Sequence, residues 1–139
     1  MNRTEFQRLS DLRIEDARAL LDAGRFGGAY YFSGIAIECG LKAAIAKQTS
    51  VHDFPPKPEF VRSIYVHSLG DLLKHALLEQ QLNQDCEPQP ELRRNWDVVK
   101  SWTIDARYSS TATEQTARDM LFAASDPNTG VLTWLKTHW

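Results

Sequence analysis

The chain has 139 residues, of which 42% are hydrophobic and 24% charged, with a formal net charge of −2 and a pI near 6.1. That is enough for one core, so a single domain over 1–139 is expected, and with no strong basic field any nucleic-acid contact has to come from a local patch. Cys39 and Cys86 make no disulfide framework, no apolar run reaches the length of a membrane span, and no apolar signal core follows Met1 to Glu5, which together point to a cytoplasmic protein away from membranes.

Apolar residues at helical spacing predict a first helix over 5–23, with Phe6, Leu9, Leu12 (or Arg13), Ala17, Leu20 and Leu21 inward. Its arginines and acids rotate around the axis, which reads as a solvated helix of mixed charge. Gly24 is a natural stop. A second helix over about 25–47 carries Phe26, Tyr30, Ile37, Leu41, Ala44 and Ile45 on an apolar face. Its glycines (Gly27, Gly28, Gly34, Gly40) point to close packing by a neighbouring helix.

Three prolines fall between His52 and Glu59, and proline removes a donor and clashes inside a helix. The Pro-rich segment 52–60 is therefore expected as a long loop, with a short turn near Glu59 to Tyr65. Ser68 and Asp71 form a capping box for a third helix running to about Leu82, with Leu69, Leu72, Leu73, Ala76 and Leu77 inward. A polar connector from Asn83 to Pro90 precedes a fourth helix, in which Leu92, Trp96, Val99 and Trp102 keep helical spacing. A break covers Thr103 to Ser110. Thr111 and Glu114 then suggest a capping box for a fifth helix bearing Ala117, Met120, Leu121 and Ala124. Asn128-Thr129-Gly130 turns the chain into a short last helix from Val131 to Trp139. The expected fold is all-α: an antiparallel bundle of about five main helices plus a short C-terminal helix.

Three features carry candidate chemistry. Glu38 lies in the apolar part of the second helix and needs a cation or donor. Lys42, one turn on, makes it an i,i+4 surface pair in the plainest reading; in the sharper reading Glu38 faces Arg107 inside the bundle. Arg107 and Tyr108 precede a helix N-terminus, and Ser110 and Thr111 add hydroxyls beside them, the parts of an anion or phosphate site. The plainer alternative is a structural arginine tying a loop to the bundle. His67, Asp71 and His75 have stripe spacing, but a Ser68 N-cap leaves His67 outside the helix, so no metal site is expected. No cofactor motif appears either. Four Trp, four Tyr and six Phe exceed what so small a core hides, which suggests a homodimer interface, with Trp134, Trp139 and Phe26 as its candidates.

The chain resembles a HEPN domain along nearly its whole length. The resemblance rests on Arg18-Ala19-Leu20-Leu21 before a glycine, on Tyr30-Tyr31-Phe32-Ser33-Gly34 leading to Glu38 and Leu41-Lys42-Ala43, on His67-Ser68-Leu69 at the third helix, and on Asp105-Ala106-Arg107-Tyr108. It implies a compact helical bundle that forms homodimers and works beside a minimal nucleotidyltransferase in toxin–antitoxin or other defence systems. Many such domains are metal-independent RNases with an Arg-x(4–6)-His motif near the start of the last large helix. Here no histidine follows Arg107 at that spacing. The expectation is a non-catalytic module that binds a nucleotide, RNA or a partner protein through Arg107, Tyr108, Glu38, Lys42, Ser110 and Thr111. The enzymatic alternative is an endoribonuclease using Arg62 and His67, which do have the spacing but precede the third helix.

Overall fold

The computed structural model describes residues 1–49 and 58–139, and these are helical with no strand among them. None of the described helices is long and apolar enough to cross a membrane. Of the loop expected over 52–60, residues 52–57 lie outside the described residues, and from Pro58 on the chain is helical instead, with proline at the first helical position where its missing N–H costs nothing.

Helix α1 (Arg3–Asp22) starts two residues earlier than its apolar spacing suggests, because Asn2 and Glu5 form a reciprocal capping box. It ends where Gly24 takes a positive φ of 74°, with Arg25 N–H on the Leu20 carbonyl and Gly24 N–H on that of Leu21, the Schellman pattern. Its buried face is Ser10, Ile14, Ala17 and Leu21. Leu12 is exposed, and Leu9 and Leu20 sit at the flank. The inward face is thus turned slightly from the one expected, because Ser10 belongs to it. The Ser10 hydroxyl donates to the Ala36 carbonyl at 2.7 Å, so a small polar side chain is satisfied in the core.

Helix α2 (Phe26–Thr49) is the axis of the fold. Ala29, Ala36, Ile37, Leu41, Ala43, Ala44 and Ile45 are buried, and α1 packs along it, Leu20 beside Gly28 and Ser10 beside Gly40. A helix apolar nearly all round belongs in the middle of a fold. Its glycines do mark close approach: the Trp102 ring lies against Gly34, and Leu132 and Leu135 against Gly40.

Short helix α3 (Pro58–Ser63) leads to α4 (Leu69–His75), whose N-cap is Ser68, accepting from Asp71 N–H. The third helix expected from the sequence is in fact two. It breaks at Leu77, which has φ 59° and is 71% exposed, and chain resumes as α5 (Glu79–Cys86). The break is a second Schellman turn, Leu78 N–H on the Leu73 carbonyl and Leu77 N–H on that of Lys74, with leucine where glycine is usual. Leu77 therefore points outward, while Leu78 and Leu82 fill the core. Leu77→Gly is expected to raise stability by about 0.5–1 kcal/mol, the left-handed cost less glycine's greater freedom when unfolded. Urea denaturation checks it; a loss of stability would mean the exposed side chain contributes packing.

Pro90 opens α6 (Pro90–Val99), and Leu92, Trp96, Val99 and Trp102 are all buried as their spacing predicts. The expected break is a 3-10 helix (Ile104–Tyr108). Helix α7 (Glu114–Ser125) is capped by Thr113, not Thr111: the Thr113 hydroxyl accepts from Thr116 N–H at 3.1 Å. Asp126 then gathers Asn128 N–H, Thr129 N–H and the Thr129 hydroxyl, which holds its carboxyl below the usual range and turns the chain into α8 (Val131–Leu135). The Trp134 indole donates to Asp85 at 2.8 Å, tying α8 to α5.

Candidate functional site

Glu38 is 6% exposed. Its carboxylate takes Lys42 Nζ at 2.8 Å and lies 3.0 and 3.1 Å from His67 Nδ1 through its two oxygens. Arg107 is not among its partners, so the internal Glu38–Arg107 couple is corrected: the lysine comes from a turn further along α2, the imidazole from just ahead of α4. The i,i+4 geometry is the one expected for Glu38 and Lys42, but the pair is not on the surface, since the Lys42 side chain is only 14% exposed. The apolar stem of lysine makes this tolerable, lying along the helix while the ammonium reaches the carboxylate.

The position of His67 follows from the cap. Ser68 ends the extended segment and starts α4, which leaves His67 just outside the helix, where it can turn back to α2. Its side chain is 48% exposed. With Nδ1 on the buried carboxylate, the imidazole is oriented and its Nε2 edge is left for other partners, as in acid–base sites where a carboxylate fixes a histidine. The link from Glu38 to His67 is the one that sequence reasoning missed. The two are 29 residues apart, and no periodicity connects them.

Cys39, next to Glu38, is half-buried. Burial, then the Glu38 charge, push its thiol up to about 11 against the pull of Lys42 and Arg13, so it stays protonated and unreactive near neutrality.

Arg107 and Tyr108 form a separate, exposed feature at the end of the 3-10 helix. The Arg107 guanidinium sits 4.8 Å from the Tyr108 ring centroid, and Tyr108 is 75% exposed. No described carboxylate pairs with Arg107. The segment is held against α2 by Trp102, stacked on Tyr31 at 6.2 Å and seated on Gly34, and by the Ser109 carbonyl beside Gly27. Ser110 and Thr111 are exposed, but with Thr113 as the cap they lie ahead of α7 and not at its first turn. A guanidinium over an aromatic ring offers a planar fork for phosphate and a face for a base.

Arg62 is exposed near the end of α3. No group of three or more His, Cys, Asp or Glu placed to hold a metal occurs among the described residues. Of the three candidate interface aromatics, Trp134 is buried, while Phe26 and Trp139 are partly exposed at the edge of the core. Comparison of the chain with family models, curated proteins and solved structures returns no match.

Proposed function

We propose that this protein is a HEPN-like antiparallel helical bundle acting as a non-catalytic binding module for a nucleotide or an RNA segment, in the cytoplasm, beside a minimal nucleotidyltransferase in a toxin–antitoxin setting. The observation that carries the ligand reading is the exposed Arg107–Tyr108 pair, a guanidinium over a phenol ring with no described acid holding it. Phosphate oxygens accept from the guanidinium fork and a base stacks on the ring. Lys42 and His67 are engaged with Glu38 instead. Glu38 does not line this platform; it orients Lys42 and His67. Adding adenine nucleotides or short single-stranded RNA should raise the melting temperature, since a ligand that binds only the folded state stabilises it. An unchanged melting curve at millimolar nucleotide and micromolar RNA would remove the ligand reading and leave a protein-interaction role.

A second reading, a metal-independent endoribonuclease, is favoured by one specific contact, His67 Nδ1 on the buried Glu38 carboxylate. A histidine held this way could take the proton from a ribose 2′-OH, with Arg62 and Lys42 near the phosphate charge. Release of RNA fragments with cyclic phosphate ends in the presence of a chelator, abolished by His67→Ala, would select this reading.

With Trp134 buried, the homodimer is proposed on the face where α1 and α2 lie side by side. Leu9 and Leu20 of α1 and Phe32, Ile35 and Cys39 of α2 are half-exposed along one two-helix face. The Arg13–Asp16 pair crosses that face, with Arg13 5.6 Å from the Phe32 ring centroid. A two-fold copy could exchange this pair, the self-complementarity an isologous interface needs. Light scattering should report twice the chain mass, and Ile35→Glu should give the monomer; a monomeric wild type at high concentration would remove the proposal.

A further inference from the structure

The other flank of α1 carries a groove that none of the readings above uses. Between α1 and α7 lies a cavity of about 330 Å³ with Leu21, Leu121 and Phe122 as its apolar floor and Arg18 and Arg118 at its sides. It runs on past Arg18 and Ser125 into a second cavity of about 310 Å³ against α8, where Asp11 and Glu15 stand. Phe122 is 57% exposed, a large ring left in water on a helix whose other large apolar residues are buried.

The charges decide what fits. Arg118 is held by Glu114, at 2.8 and 3.0 Å, and Lys136 by Asp11 at 2.6 Å. Arg18, between them, is exposed and no described residue pairs with it. The groove therefore presents one uncommitted guanidinium next to an apolar floor and an exposed phenyl ring. Arginine and aromatic side chains around a desolvated pocket are the residues that anchor protein interfaces. A polyanion such as RNA would run from Arg18 straight onto Glu15, which repels it, and onto an Asp11–Lys136 pair already neutral in sum. A peptide needs only one carboxylate there, beside one or two apolar side chains.

We infer that the α1–α7 groove is a docking site for a segment of another protein carrying an apolar side chain next to an aspartate or glutamate. The carboxylate meets Arg18, and the apolar side chain packs on Phe122, Leu121 and Leu21. The surface is separate from the Arg107–Tyr108 platform and from the proposed dimer face, so it stands or falls apart from both.

The experiment is selection from a random-peptide display library on the whole protein, followed by titration of the enriched peptides as synthetic labelled probes. Enriched peptides should share an apolar residue adjacent to an acid. Arg18→Glu and Phe122→Ser should each weaken their binding about tenfold or more, as truncating an interface anchor does, while melting temperatures stay near wild type, because both side chains are exposed. Replacing the peptide's acid with lysine should weaken wild-type binding and restore binding to Arg18→Glu. No enrichment, enrichment of basic peptides, or binding indifferent to both variants would overturn the inference.

Discussion

Replacing Glu38 with alanine is expected to destabilise the protein by about 3 kcal/mol, the cost of stripping a partner from a buried ion pair. The carboxylate links α2 to the segment ahead of α4. It neutralises Lys42, whose side chain is 14% exposed, and it holds His67 at the entrance to α4. Without it, the Lys42 ammonium must either stay unpaired beside Cys39 and the α2 interior or swing out and leave its stem's packing. Glu38→Gln keeps an acceptor for both and should lose less, about 1 kcal/mol. A paired replacement, Glu38→Leu with Lys42→Met, removes both charges and should recover most of the alanine loss, because apolar pairs of similar volume often match buried ion pairs. Denaturant unfolding of the three variants checks this. A loss under 1 kcal/mol for Glu38→Ala would mean that water screens the pair and that the carboxylate organises nothing.

Gly34→Ala is expected to be comparably severe, about 3 kcal/mol, the upper range for forcing atoms into a filled core. A Cβ at this position would stand 2.1 Å from Trp102 Cε2 and 2.2 Å from its Nε1. The obstacle is a rigid indole that is itself 2% exposed, so no flexible tip can give way. Trp102 also closes α6 and stacks on Tyr31, just before the 3-10 helix that presents Arg107. The same methyl group should therefore displace the Arg107–Tyr108 platform, and ligand affinity should fall together with stability. Trp102→Phe offers a test of cause. Its smaller ring frees space above residue 34, and it removes an indole N–H that has no hydrogen-bond partner among the described residues, a donor that is costly to bury unpaired. In the Trp102→Phe background, Gly34→Ala should cost clearly less than in the wild type. Equal costs in both backgrounds would show that the clash lies elsewhere.

Helical spacing made most of the fold legible. Leu92, Trp96, Val99 and Trp102 recur on one side and are all buried, and Ser68 is the cap its hydroxyl and Asp71 suggest. What was hidden has local physical reasons. Ser10 faces inward because its hydroxyl finds the Ala36 carbonyl on the neighbouring helix, and a serine gives no apolar signal. The break at Leu77 is made by a residue that rarely adopts a left-handed backbone, so nothing in the pattern marks it. Thr111 and Thr113 both have the chemistry of a cap, and only the structure shows Thr113 accepting from Thr116.

The candidate site was legible in its parts and not in its pairing. Glu38 stood out as a lone acid among apolar residues, and Lys42 followed from i,i+4 geometry. His67 has a legible spacing from Arg62, while its contact with Glu38 depends on how α4 folds back onto α2. Arg107 looked equally able to reach inward or outward. The short 3-10 helix and the Tyr108 ring resolve that, because the guanidinium rests on the ring at the surface.

The proposal that this bundle binds nucleotide or RNA through Arg107 and Tyr108 is tested most directly by titrating labelled single-stranded RNA into wild type, Arg107→Ala and Tyr108→Ala at fixed salt. Both side chains are exposed, so the variants should melt like wild type. The account predicts saturable binding to the wild type and affinities about tenfold lower for each variant, the order expected for losing a charge-assisted phosphate contact or a stacked base. Equal affinities across the three proteins, or no binding to any of them, would contradict it.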